Sequence, residues 1–421
     1  MEKGSNEKKV DAVVAAARPF LRGDLSEVDP ELPSLVSVLC DAGAGECYHK
    51  HGTFLAHLID VYRILRLWGA PDAVARCGLY HSAYSNSYVN LAIFQPDVGR
   101  EHVRGIIGAQ AERLVHLFCV VPRHQLMHDD LHLRYTDAEL RAHLAASQAS
   151  LDASRKSSGR GDPGPGKAWR AKLASVVPAE GVVARHIRTG EPVALSRRVV
   201  GIFILMTIAD FSDQYTDYQD KLFDNEDGRL EYRGDNWCAL WPGSGKPGLW
   251  MSTMSRLAAV YRLIATDEEI RELTDSGSIT TKQEDVELEL ELVIPPVFER
   301  CSKVLDAEEQ KEARELYWKA VCGDWEEGKT ERLLRRSIEK NPFVGEPWLV
   351  LAQALLNSGR HEAAAAAVEE GLRLLVEWGS SWDKRMSWEG WVSWGRVLRD
   401  GAQDRQWPRT AWGIINLGLV K

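Results

Sequence analysis

"TFLAHLIDVYRILRLWG" (residues 53–69) carries Phe54, Leu58, Val61, Tyr62, Leu65 and Trp68 at spacings of three and four. That period puts them on one face of an α-helix, which Gly69 and Pro71 end. Asp72 is expected to cap a second helix that carries Cys77 to His81 in "ARCGLYHSAYSNS" (75–87). "VRGIIGAQAERLVHLFCVV" (103–121) predicts a third helix. The most apolar run, "VVGIFILMTIA" (199–209), is shorter than the roughly 20 residues a membrane span needs. It predicts a buried helix with Ser196 as its N-cap. The fold class expected from these stretches is mainly α.

The chain has 421 residues, 44% of them hydrophobic and 27% charged, enough for two or three domains of about 100–200 residues. A formal charge of −9 argues against a nucleic-acid partner met by a broad basic surface. No membrane partner is expected either. Seven cysteines, scattered and with no C-x-x-C pair, suit reduced thiols. The start, "MEKGSNEKKVDAVV", lacks the apolar core of a signal peptide, so a cytoplasmic location is expected. Residues 153–167 hold nine Gly, Pro or Ser and predict a disordered insertion. "WPGSGKPG" (241–248) is not a phosphate loop, because Leu240 and Pro247 stand where the motif needs glycine and Ser or Thr; a glycine turn is expected. "VELELELVIPP" (286–296) alternates apolar and acidic residues as a strand does, although leucine and glutamate also favour helix.

In "GEPWLVLAQALLNSGRHEAAAAAVEEGLRLL" (345–375), Trp348, Leu351, Ala352, Leu355, Gly359, Ala364, Val368 and Gly371 follow the bulky, small and turn positions of a 34-residue helical repeat. This resembles a tetratricopeptide repeat. A weaker unit precedes it through Tyr317, Val321, Leu334 and Pro342, with Arg314 and Thr330 off the pattern. A third starts at "GWVSWGRVL", where Trp391, Trp394, Gly395 and Leu398 repeat the first-helix signature after an insertion of about nine residues. Ten of the fifteen tryptophans lie beyond residue 305, as large rings filling the gaps between stacked helices would. The resemblance implies a protein partner docked by Trp348, Trp391 and Trp394. The expected boundaries are 1–285 for a helical domain, 286–304 for a bridging segment and 305–421 for the repeats.

The N-terminal helices resemble the HD superfamily, and within it the hydrolase domain of the stringent-response alarmone enzymes, over roughly 45–125 and 195–216. The parts come in that family's order: "FLAHLIDVYRILRLWG", "ARCGLYHSAYSNS", "IGAQAERLVHLF" and "MTIADFSDQY". The resemblance implies that His57, His81 and Asp210 are metal ligands for a divalent ion, manganese or iron. Ser82 stands where the family has a ligand aspartate, and Ser85 and Asn86 where the alarmone hydrolases have an acidic pair. A neutral serine or amide supplies neither charge for a hard cation nor a base for water. The His-Ser pattern also resembles uncharacterised plant and bacterial domains of this general look.

Asp213 lies one helical turn beyond Asp210 and is a candidate to replace the missing carboxylate. Asp60 is a second candidate for assisting catalysis. His49, Lys50 and His51 of "CYHKHG" are candidate rim residues for an anionic substrate, against the alternative of a solvated loop; with Cys40 and Cys47 they do not make a known zinc spacing. Arg104, Arg113 and Arg123 are candidate phosphate contacts because a guanidinium can bond two oxygens at once; Arg113 beside Glu112 is equally a surface ion pair. Ser82, Ser85 and Asn86 would line the same substrate site. "MHDD" (127–130) is read as a loop or cap.

Three functions fit these residues. The first is a divergent HD-type metal-dependent enzyme, phosphohydrolase-like, acting on a small anionic, phosphorylated or nucleotide substrate and joined to a protein-binding repeat region. The second is an inactive ligand-binding or scaffold protein that works through its repeats. The third is an iron-dependent oxygenase of the HD fold, since two histidines and one carboxylate bind iron facially.

Overall fold

The computed structural model describes residues 3–49, 52–87, 91–95, 98–156, 167–214, 223–224, 231–232, 250–274, 290–323, 326–410 and 413. In chain order its helices are α1 (Lys3–Arg22), α2 (Leu25–Val28), α3 (Leu32–Asp41), α4 (Phe54–Leu67), α5 (Asp72–Leu79), α6 (Arg100–Ile107), α7 (Ala109–Val120), α8 (Asp137–Lys156), α9 (Lys167–Val176) and α10 (Arg197–Gln214). These are followed by α11 (Trp250–Thr274), α12 (Pro296–Cys301), α13 (Ala307–Cys322), α14 (Glu327–Lys340), α15 (Glu346–Asn357), α16 (His361–Trp378) and α17 (Trp388–Gln403). The strands pair only locally, β1 (Tyr48–His49) with β2 (Gly52–Thr53), β3 (Val182–Arg185) with β4 (Pro192–Leu195), and β5 (Phe223–Asp224) with β6 (Glu231–Tyr232). The class is mainly α. Among the described residues no helix is long and apolar enough to cross a membrane.

Local chemistry accounts for the helix ends. Thr53 caps α4, its Oγ1 accepting from Ala56 N at 3.1 Å, and Ser196 caps α10, its Oγ accepting from Val199 N at 3.2 Å. Asp72 is not a cap but the first residue of α5, after Pro71; its carboxylate pairs with Arg66 instead. The single helix expected over 103–121 is broken at Gly108, where φ is +89° and separates α6 from α7. The expected strand over 286–296 does not form across 290–294, while 286–289 lie outside the described residues. There Arg198 donates to the Leu290 carbonyl and Tyr261 to the Val293 carbonyl, so side chains take the place of a neighbouring strand. Of the predicted disordered insertion, 153–156 are helical within α8 and 157–166 lie outside the described residues, as do 241–248.

The core is organised around α10, in which every residue from Val199 to Asp213 is buried. It packs against α4, α5 and α11. The approach of α5 to α4 depends on Gly78, where an added Cβ would lie 2.4 Å from a Leu65 methyl and 3.2 Å from Val61. α13 with α14, and α15 with α16, form successive helical hairpins, and α17 packs on both helices of the second. The contacts between them need small residues: a Cβ at Gly371 or Gly395 would strike Leu349 or Leu372 at 2.7 and 2.4 Å. α1 lies against α16, and Trp68 at the C-cap of α4 meets the rings of Phe298 and Trp378 while donating to the Glu377 carbonyl at 2.8 Å.

The nine-residue offset in the repeat becomes a folded loop, 379–387, between α16 and α17. Gly379 leaves α16 with φ +66°. The buried Glu346 carboxylate accepts from Trp382 N at 2.6 Å and Asp383 N at 3.2 Å, and Tyr317 donates to Asp383 at 2.8 Å.

Two stability outcomes follow. Gly78→Ala is expected to destabilise the chain by about 1–3 kcal/mol through overpacking, read by denaturant unfolding. Burial pushes the Glu346 carboxyl up to about 7 from 4.5, outweighing its backbone donors. The folded state therefore binds the proton more tightly. Its contribution is complete below pH 4.5 and lost as pH rises through 7. Glu346→Gln is expected to flatten the stability profile between those values by on the order of 3 kcal/mol, measured by unfolding at a series of pH values.

Candidate metal centre

Three helices deliver the buried polar side chains. His57 comes from the second turn of α4, His81 from just beyond α5, and Asp210 from the last turn of α10; all are 3–5% exposed. His57 Nε2 lies 3.4 Å from His81 Nε2 and 3.3 Å from Asp210 Oδ1, and His81 Nε2 is 3.8 Å from that oxygen. A point about 2.0 Å from all three corners exists within this triangle. That is close to the length of imidazole and carboxylate bonds to a first-row divalent ion, about 2.0–2.2 Å for zinc. Among the described residues this is the one group of three or more His, Cys, Asp or Glu with ligand atoms so close together.

The other ring nitrogens fix the tautomers. His81 Nδ1 is 2.7 Å from the Gly78 carbonyl, which can only accept, so Nδ1 carries the proton and Nε2 presents a lone pair to the centre. Burial, reinforced by His57 and Arg123, pushes His81 down to about 4, keeping it neutral. His57 Nδ1 donates to Asp213 Oδ2 at 2.7 Å. Burial works against a charge on His57, but Asp210 and Asp213 outweigh it and raise its pKa to about 9. Without a cation, then, a proton on Nε2 faces Asp210; a metal would take that proton's place. The Asp210 carboxyl would be raised by burial, yet His57, His81 and Arg123 hold it well below the usual carboxylate range. Arg123, buried over the Phe118 ring, has Nη1 3.7 Å from Asp210 Oδ2, and Gln214 donates to Oδ1.

Asp213 therefore does not fill the place of the absent ligand aspartate. It is spent on the far nitrogen of His57, the carboxylate–histidine arrangement that orients metal-binding imidazoles. Ser82 and Asn86 are buried near His81 in the chain and bond each other at 3.4 Å, while the Ser85 carbonyl accepts from Arg188. Of the three arginines proposed as phosphate contacts only Arg123 reaches the centre. Arg104 pairs with Glu101 and Glu112, and Arg113 is exposed on α7. Buried Glu112 takes its main pair from Arg100, both bonds at 2.7 Å, rather than from Arg113. His128 is buried and packs against His132 in a π-helical turn, away from any cluster of metal-binding geometry among the described residues.

A cavity of about 370 Å³ adjoins the centre on the Asp213 side. His49, His57, Asp60 and Asp213 line one wall; the loop 379–387 and the start of α17 form the other. His57 is the only triad residue that borders it. His49 stacks at a tilt 4.6 Å from His57, while Lys50 and His51 lie outside the described residues. Asp60 keeps 28% of its side chain open to the cleft, and limited hydration raises its carboxyl to about 7 despite Arg63. Arg63 and Lys384, absent from the residues singled out by motif, both reach this cavity. Trp348 and Trp394 are half-buried, whereas Trp391 is 6% exposed and donates to the Asp383 carbonyl at 2.9 Å.

A family described as a domain of unknown function, DUF6817, matches residues 38–123, a stretch that contains His57, His81 and Ser82 but not Asp210. No curated protein and no solved structure matches the chain.

Asp213→Asn keeps the shape of its side chain but removes the charge behind His57. It is expected to weaken binding of a divalent ion by about 10- to 100-fold, measured by competition with a chromogenic chelator.

Proposed function

We propose that the chain is a divergent HD-type metal-dependent enzyme, phosphohydrolase-like, acting on a small anionic, phosphorylated substrate, with tetratricopeptide-like repeats that also engage a protein partner. The observation that carries the reading is the buried His57–His81–Asp210 group, in which each imidazole turns Nε2 inward because its Nδ1 proton is already committed. The donor set suits manganese or iron(II), and when bound such an ion polarises a phosphoryl oxygen and lowers the pKa of water. His57 and His81 hold the ion, Asp213 orients His57, and Arg123 supplies positive charge beside Asp210. Asp60, with its carboxyl near 7, is placed to exchange a proton with a molecule in the cavity.

A second reading, an iron-dependent oxygenase, is favoured by one feature: the donor set is two histidines and one carboxylate, with Ser82 in place of a second acid. Metal analysis followed by turnover assays separates the readings. The purified chain is expected to hold one equivalent of manganese or iron, and His57→Ala to lose it. Phosphate release from a panel of nucleotides and alarmones, unchanged under anaerobic conditions, is the expected result. Substrate conversion that requires oxygen selects the oxygenase. Metal-free protein under all conditions leaves a scaffold acting through its repeats and ends both enzyme readings.

A further inference from the structure

The cavity between α4 and the 379–387 loop is lined by several charges, and most are already matched. Arg63 donates to Asp60 and Glu389, bonds the Gly379 carbonyl and lies 4.4 Å over the Trp388 ring. His57 is engaged by Asp213. Lys384 differs. Its ammonium donates to two neutral oxygens, the Ser212 carbonyl at 2.9 Å and Ser380 Oγ at 2.8 Å. Among the described residues no carboxylate lies within ion-pair distance of it. An ammonium has three donors, so one N–H is left at the cavity wall. Burial lowers the pKa of Lys384, and only the more distant Asp213, Asp60 and Glu346 oppose that. An anion in the cavity would supply the missing counter-charge. Ser387 stands beside it with a hydroxyl proton to donate, because its oxygen accepts from Gly390 N at 3.2 Å.

We propose that this cavity is a binding site for a metabolite-sized molecule bearing an oxyanion, phosphate or carboxylate, held by Lys384 and Ser387 of the repeat region against His49 of the N-terminal region. A volume of about 370 Å³ suits such a ligand. The site extends the metal-centre reading, since His57 and Asp213 form the wall between the two. The 379–387 loop thus supplies the contacts to the bound anion.

The test uses the full chain, titrated calorimetrically with inorganic phosphate and separately with acetate, with and without added manganese, while metal content is measured on the same samples. At least one anion is expected to bind the wild type, and the two arms tell phosphate from carboxylate recognition. Lys384→Met is expected to weaken that binding by about tenfold or more with metal content unchanged; Lys384→Arg should retain most of it. Absence of binding to the wild type, or equal affinity in Lys384→Met, overturns the site. Should Lys384→Met fail to fold, Ser387→Ala is read instead, with a loss of about threefold or more expected and unchanged affinity counting against the proposal. Anion binding without metal uptake would sink the metal centre alone, and metal uptake without anion binding the cavity alone.

Discussion

One imidazole held between two carboxylates organises this molecule. His57 faces Asp210 through Nε2 and Asp213 through Nδ1, and both acids come from the last turn of α10. Burying three ionisable groups is unfavourable unless each finds a partner of opposite charge or a hydrogen bond. The pairing can only be met if α4 and α10 meet at one register, so the site and the core packing specify each other. Above that turn α10 is almost wholly apolar; Thr207 disposes of its hydroxyl on the Phe203 carbonyl. The chemistry is thus confined to the end of α10 that carries Asp210 and Asp213.

The same stretch is where the 379–387 loop meets α10. Ser380 Oγ donates to the Ser212 carbonyl at 2.6 Å, and Lys384 donates to the same oxygen. A carbonyl oxygen has two lone pairs, so the Ser212 oxygen can accept both. Asp210 and Asp213 lie within two residues of Ser212, so the loop that bonds its carbonyl also steadies the turn that holds His57. The loop is itself anchored by the Glu346 carboxylate, the Tyr317 hydroxyl and the indole N–H of Trp391, while Trp388, directly after it, donates to the Leu375 carbonyl of α16. Tryptophans near the loop therefore serve as struts, which is why Trp391 is buried although the repeat period makes it a candidate docking residue.

What the sequence revealed follows the range of the interactions involved. Helix α4 and its apolar face are encoded within one short window, and so are the small residues at Gly371 and Gly395 that let the hairpins pack; the Thr53 cap shows only in the structure. Order along the chain brought His57, His81 and Asp210 into one hypothesis, and the spacing of three placed Asp213 on the face of Asp210. Which nitrogen Asp213 would take depends on the register of α4 against α10, and that is a tertiary property. The insertion after Gly379 is visible as an offset in the repeat. Its place over α10, about 170 positions away in sequence, is not, because nothing local in either segment encodes that contact. The alternation over 286–296 misled for a related reason. A strand needs an edge to pair with, and around Leu290 and Val293 the nearest donors are the side chains of Arg198 and Tyr261.

The charges around the triad are unevenly placed: Asp210 lies within it and Asp213 acts from behind His57, while Ser82, next to His81 in the chain, carries none. Were the proposed divalent ion held there, its charge, two neutral imidazoles, both aspartates and the Arg123 guanidinium beside Asp210 would sum to a net positive charge. In a region screened from water such an excess is unfavourable, and the cheapest remedy is an anionic ligand. The same excess would weaken the hold on the cation until that ligand arrived. On the proposed reading an anion in the Lys384 cavity would ease that excess without being a ligand of the ion, so that each could bind alone and either would favour the other.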